Sequence, residues 1–320
     1  MSEIRWGYAM NQWNTVNNTL RREQIERALK VVSVCGFSGV ELKAGTGRWE
    51  PLGRPELINI SFGSASEFQR FLRSCSIDKV VSWYYDPGQY FLEEGSMGRN
   101  PANPADHQGI VDSLTPFAEF LQEIGAEFMN VRPMGSFWRE TPVTAEKIKH
   151  AAACWNIVGK MTAERGIRTV LHLDWLGALH HESDIELMLD QTNPSWVGLT
   201  LDTAELTLMG LDPVSFYQQH ADRIRLFHLK DVHTTDTLQE YQNKYADNLL
   251  KNGGLRKIER WFWEMGRPGG LVNFPGLMRE ISRQDYHGWI IVESDQSPSP
   301  AESAMLNHWY IDNILKKQES

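Results

Sequence analysis

Short runs rich in β-branched and aromatic residues alternate with longer amphipathic stretches along this chain, the pattern of βα units around a parallel sheet. Eight runs read as strands: residues 6–10, 39–43, 79–85, 127–132, 168–175, 197–202, 224–230 and 289–294. Eight helices are predicted at 20–35, 66–75, 106–124, 144–165, 184–190, 213–220, 274–283 and 299–316. Several helices hand over to a strand at or near glycine, as in CGFSGVEL, EIGAEFMNV and ERGIRTVLHL, the expected C-terminal stop. Strict alternation of eight strands with eight helices is what a (β/α)8 barrel requires. Alternation alone leaves an open doubly wound sheet available. No GxGxxG follows the first strand, so a dinucleotide fold lacks its strongest signal.

One segment breaks the rhythm. Residues 233–272 form a connection of 40 residues where about 2–6 is usual. It holds an amphipathic stretch, TLQEYQNKYADNLLKNGG, and then the aromatic run Trp261, Phe262 and Trp263 followed by Gly and Pro. The prediction is a folded excursion over the barrel mouth, as a lid or specificity loop or as a subunit contact in a dimer or tetramer. Nothing else reads as a linker or repeat, so the whole chain, 1–320, is expected to be one domain.

The 320 residues carry a net charge of −9 with no basic stripe, which disfavours nucleic acid and anionic membrane surfaces as partners. A small neutral or weakly charged molecule is the simpler expectation. No apolar run is long enough for a membrane span, and the N-terminus lacks a secretory pattern, so the cytoplasm is expected. Three widely spaced cysteines, Cys35, Cys75 and Cys154, read as buried thiols in a reducing compartment.

In a (β/α)8 barrel the C-terminal strand ends converge on one mouth. Four of these ends carry unusual polarity: VLHLDW with His172 and Asp174, LTLDT with Asp202, LFHLKD with His228 and Lys230, and WIIVESD with Glu293. Residues two apart on a strand share a face. Charges entering buried strands are costly unless paired or bound to a metal, and carboxylates and imidazoles aimed at one axis can share a divalent cation. Each has a plainer reading: Asp202 as a helix cap, His228 as a core histidine, Glu293 as a salt bridge to Lys230. Four together on consecutive strands argue for chemistry. Glu41 and Arg132 could orient substrate hydroxyls or pair with neighbouring charges. Of the adjacent His180 and His181, one is expected near the site. Trp83, Tyr85, Trp138 and Trp175 could stack on a ring or simply pack.

Through LTLDTAELTLMGLDP, ADRIRLFHLKDV and YHGWIIVESDQSPSPAESA the chain resembles the xylose-isomerase-like barrel family of sugar isomerases, epimerases and related lyases. Within it the inosose dehydratases are most similar, through the imidazole on the fifth strand, the HLKD run and the GWxxVExxQxP pattern. The resemblance implies a closed barrel and metal-ligand positions at Asp202, His228 and Glu293; His172, from its place at the fifth strand end, is expected as the fourth ligand. Mn2+ or Co2+ is expected, with Zn2+ or Mg2+ as alternatives. Two departures stand out. The fifth strand has His172-Leu-Asp174 where many members have E-x-H, and Glu205 stands where many have the histidine of D-T-x-H.

The expected reaction is enolisation of a keto-polyol or keto-sugar, with a metal polarising the carbonyl. Glu293 or Glu205 would remove the α-proton; Asp174, Lys230 or a histidine of the excursion would protonate the departing hydroxyl. Arg132, Glu41, Trp175, His181 and Lys230 are expected to bind substrate. A dehydratase is favoured over a ketose isomerase or epimerase, because losing the fifth-strand glutamate removes one of two facing bases. A lyase that cleaves keto-glycosides is a close competitor. A DNA-repair endonuclease would need more histidines and a basic groove. A non-catalytic binding protein would lack the strand-end acids.

Overall fold

A computed structural model describes residues 4–15, 21–45, 52–88, 98–246, 260–295 and 297–318. The strands are β1 (Arg5–Ala9), β2 (Gly39–Lys43), β3 (Lys79–Tyr85), β4 (Phe128–Val131), β5 (Arg168–His172), β6 (Val197–Asp202), β7 (Ile224–Leu229), β8 (Asp231–Val232), β9 (Phe262–Trp263) and β10 (Trp289–Val292). Eight of them close into a parallel barrel in the order β1-β10-β7-β6-β5-β4-β3-β2. Closure is made by β1 against β10, with Gly7 opposite Ile291, so the open sheet is excluded.

The predicted strands hold within a residue or two, except the fifth, which stops at His172. There the chain turns, with the Gly177 amide bonded to the Asp174 carbonyl. The alternation also passed over short helices at Asn11–Thr15, Pro55–Phe62, Phe137–Glu140 and Thr203–Leu208, of 4 to 8 residues, too short to show a helical period. Of the first predicted helix, Leu20 lies outside the described residues, as does 247–259 of the long excursion. Cys35, Cys75 and Cys154 are buried free thiols. No helix among the described residues is long and apolar enough to cross a membrane.

The barrel interior explains where the site sits. Its floor is an apolar plug of Ala9, Val81, Phe128, Val170, Leu226, Trp289 and Ile291. Two residues further along five of these strands stand Asn11, Asn130, His172, His228 and Glu293. Alternate residues point the same way, so the lining changes from apolar to polar at one level around the barrel. On β3 the rule is interrupted by a bulge: Val40 pairs with Val80 but Glu41 pairs with Ser82. The extra residue shifts the inward phase, so Ser82 and Tyr84 face the axis above Val81. Trp83 and Tyr85 turn outward onto Phe117. Tyr85, expected at the mouth, is therefore a packing residue, and Tyr84 takes that place.

Candidate functional site

His172, Asp202, His228 and Glu293 come together at the polar level, and all four are buried. One donor atom from each lies within 4.8 Å of the other three. Asp202 ends β6 and caps the next helix, its Oδ1 accepting from the amides of Ala204 and Glu205 at 3.0 Å each. The cap reading was thus correct, and it leaves Oδ2 free to face the axis. That oxygen is 3.4 Å from His172 Nε2 and 3.8 Å from His228 Nδ1. His228 Nδ1 is 3.3 Å from Glu293 Oε2. Asp202 Oδ2 and His228 Nδ1 are buried with no well-directed hydrogen bond, though the Lys230 ammonium lies 3.1 Å from Oδ2; natural sequences rarely leave such atoms without a directed partner. Two imidazole nitrogens and two carboxylate oxygens around such atoms fit a divalent transition metal.

Further side chains fix these four. His172 Nδ1 is 3.1 Å from Asp174 Oδ1. His228 Nε2 is 3.2 Å from Glu41 Oε2, which also accepts from Ser82 Oγ at 2.7 Å and Asn130 Nδ2 at 3.0 Å. Glu41, expected to touch substrate, thus orients His228, the role carboxylates commonly take behind metal-bound histidine. Asn11 donates to Glu293 at 2.6 Å and to Asp295 at 2.7 Å. Asn130, Ser82 and Asp295 were missed as site residues. The +2 spacing from Phe128 could have found Asn130; the bulge hid Ser82.

Lys230 lies among four carboxylates: Asp295 at 2.7 Å, Glu293 at 2.9 Å, Asp202 at 3.1 Å and Glu205 at 3.3 Å. The Glu293 salt bridge set against a metal role is therefore present, together with the His228 contact. Protonation follows from these contacts. Burial opposes the Lys230 charge, but Asp202, Asp295 and Glu293 hold its pKa well above the ordinary value. Burial likewise opposes charge on Glu293, yet Lys230 and His228 hold it well below. Glu205 is pushed up to about 8 by burial, with Lys230 pulling the other way. At Asp174 burial is outweighed by His172 and Arg132, so it stays ionised. His228 is raised to about 9 by Glu41 and Glu293 against burial.

Toward the mouth, Arg132 Nε is 3.1 Å from Asp174 Oδ2 and its NH1 is 3.3 Å from Asp86. The Tyr84 hydroxyl donates to Asp174 at 3.4 Å. Arg132 and Asp174 meet Leu173 and Gly177 in a closed cleft with no room for a water molecule. Two expected substrate contacts are placed elsewhere. Trp175 is fully buried, packed edge-on against Trp261 at 4.6 Å, because the chain leaves β5 before it. His181 is exposed at the start of helix Glu182–Gln191; its neighbour His180 is the buried one, stacked on Tyr241 at 3.5 Å. Trp261 and Phe262 are buried within the protein, so the aromatic run that suggested a subunit contact is used inside the chain.

Residues 29–309 match the family described as xylose isomerase-like TIM barrel. The chain belongs to that family. Inosose dehydratase 1 of Bacillus cereus is 28% identical to this xylose isomerase-like barrel over 204 residues, 60% of this chain. The match spans only 65% of that relative's length. Inosose dehydratase of Bacillus velezensis is 23% identical over 98% of this chain and 97% of its own. Among solved structures the barrel is similar to that of the IOLI protein with a binding zinc atom, at a TM-score of 0.68 and 12% identity. That likeness covers 98% of this chain and 99% of the other, and it concerns the fold alone.

Proposed function

We propose that this family member is a divalent-metal-dependent enzyme that dehydrates a keto-polyol or keto-sugar. The observation that carries the reading is the buried His172, Asp202, His228 and Glu293 cluster, with Asp174 on the Arg132 side and Glu205 beside Lys230 on the other. Asp174 stays ionised, while Glu205, on the helix after β6, and Lys230, directly after β7, favour their protonated forms. His172, Asp202, His228 and Glu293 would hold the metal, which supplies Lewis-acid polarisation of a carbonyl when bound.

In this arrangement Asp174 accepts the proton α to the carbonyl, and Arg132 and Tyr84 hold its carboxylate in place. Glu205, protonated and 3.3 Å from the Lys230 ammonium, donates a proton to the departing β-hydroxyl. The balance is one carbon-bound proton to Asp174, one proton to the hydroxyl, and one water released. Glu205 is thus read as donor and not as base, because burial at that position favours the neutral acid. Support for a sugar-like substrate comes from the two relatives named inosose dehydratase; support for the metal comes from the donor set and the zinc in the similar barrel.

The test is turnover in D2O with Mn2+ and a panel of keto-cyclitols, ketoses and 3-keto-glycosides, followed by mass spectrometry and NMR. The expected product is lighter by one water. Deuterium gained at the α-carbon with an unchanged formula would instead make the protein an isomerase or epimerase. Asp174→Asn is expected to lower kcat by about 10²–10⁴, the usual worth of a positioned base.

A further inference from the structure

The Glu205 carboxylate is held by a closed circuit that runs through the excursion after β7. Glu205 Oε2 accepts the Trp175 backbone amide at 2.7 Å. The Trp175 indole nitrogen donates to Asp236 Oδ2 at 2.9 Å. The Asp236 amide donates to the carbonyl of Leu208 at 3.1 Å, and Leu208 ends the helix Thr203–Leu208 that carries Glu205. Asp236 belongs to the excursion, yet it is bonded to both sides of the turn that presents Glu205. Its carboxylate is itself fixed, because Oδ1 accepts the Glu240 amide at 2.9 Å and Oδ2 the Tyr241 amide at 3.0 Å. Tyr241 then stacks on His180, whose Nδ1 is 2.8 Å from the Trp175 carbonyl. Trp175 is thus gripped at its indole, ring face and carbonyl by residues that belong to the excursion or contact it.

The same segment reaches Lys230. Phe262 lies with its ring 4.4 Å from the Lys230 ammonium, and it is anchored by the pairing of Phe262–Trp263 with Asp231–Val232, the residues directly after Lys230. An aromatic face beside a buried ammonium favours the charge and restricts where it can move.

We infer that Asp236 is a positioning residue for Glu205, acting through Trp175, and that the stretch of the excursion around Asp236 and Tyr241 is a wall of the site. Asp236 touches neither the metal cluster nor the cleft; its effect passes through one indole and one backbone amide. The inference rests on the proposed reading of Glu205, 3.3 Å from Lys230, as a residue of the reaction site. A misplacement of about 1 Å in such a group can cost 10²-fold in rate.

The experiment compares the full-length wild type with Asp236→Asn, Trp175→Phe and the double variant. Hydrogen exchange at the Trp175 amide reads the circuit without any substrate, and it is expected to quicken at least tenfold in both single variants. With the dehydration assay, kcat is expected to fall about 10- to 100-fold, while KM and Mn2+ affinity by calorimetry stay within about twofold. The double variant is expected to be no worse than either single one, since both break one circuit. An unchanged Trp175 exchange rate, additive losses, or a parallel fall in Mn2+ affinity would overturn the inference. If the wild type turns over nothing in the panel while the exchange result holds, the positioning stands and the proposed reaction fails.

Discussion

Asp202 Oδ2 and His228 Nδ1 show how far a residue's state depends on its neighbours. Both are buried beside opposite charges, and without a metal His228 is drawn up to about 9 by Glu41 and Glu293 against its burial. A metal-ligating imidazole must be neutral, so protons and metal compete there. Mn2+ affinity measured calorimetrically from pH 6 to pH 8.5 is therefore expected to tighten by up to about tenfold per pH unit for each proton displaced. The metal-free protein should behave oppositely. A histidine whose folded pKa is raised contributes stability that is complete below about 6.5 and is lost as pH rises through about 9. A flat affinity profile would remove His228 from the ligand set. At this scale the sequence revealed which residues carry charge, because VLHLDW, LTLDT, LFHLKD and WIIVESD place polar groups in otherwise apolar strands. It did not reveal protonation. The direction of the Glu205 shift depends on burial and on Lys230, which lies 25 residues away in sequence.

Among the elements, the strands govern where chemistry can occur. Five inward rows begin in an apolar plug and become polar two residues later, and the plug must be filled for the level above it to be fixed. Trp289 fills it beside Gly39, where an added Cβ would come within 2.6 Å of the indole and 2.5 Å of Val81. Gly39→Ala is expected to destabilise the protein by about 1–3 kcal/mol through overpacking, seen as a lower urea midpoint with an unchanged slope. Wild-type stability in that variant would show that the plug is loosely packed. The alternating pattern was enough to find all eight barrel strands. It failed on β3, where one bulged residue exchanged Tyr85 for Tyr84 at the mouth, because a bulge leaves no trace in hydrophobicity. The excursion after β7 was recognised by its length and aromatic run. Its attachment to Trp175 and Lys230 was not, since those contacts join segments remote in sequence.

For the whole molecule, His172, Asp202, His228 and Glu293 come from four strand ends, so the proposed metal would link its binding to the integrity of the barrel. A ligand that binds only the folded state stabilises it by about 2.7 kcal/mol at one hundred times its Kd. Saturating Mn2+ is therefore expected to raise the thermal midpoint by several degrees, chelation to reverse this, and Asp202→Ala to abolish the response. An equal shift in Asp202→Ala would place the metal elsewhere. The sequence by itself determined the alternation of strands and helices, the acidic balance, and the strand ends that carry carboxylates and imidazoles. These are local properties, written in periodicity and residue type. Only the tertiary structure decided that the sheet closes, that Glu41 backs His228 and that Glu205 is buried beside Lys230. The same holds for Asp236 reaching Trp175. Closure, burial and pairing all depend on distances between segments that the chain order leaves unspecified, and those distances set both the cost and the use of every charge at the mouth.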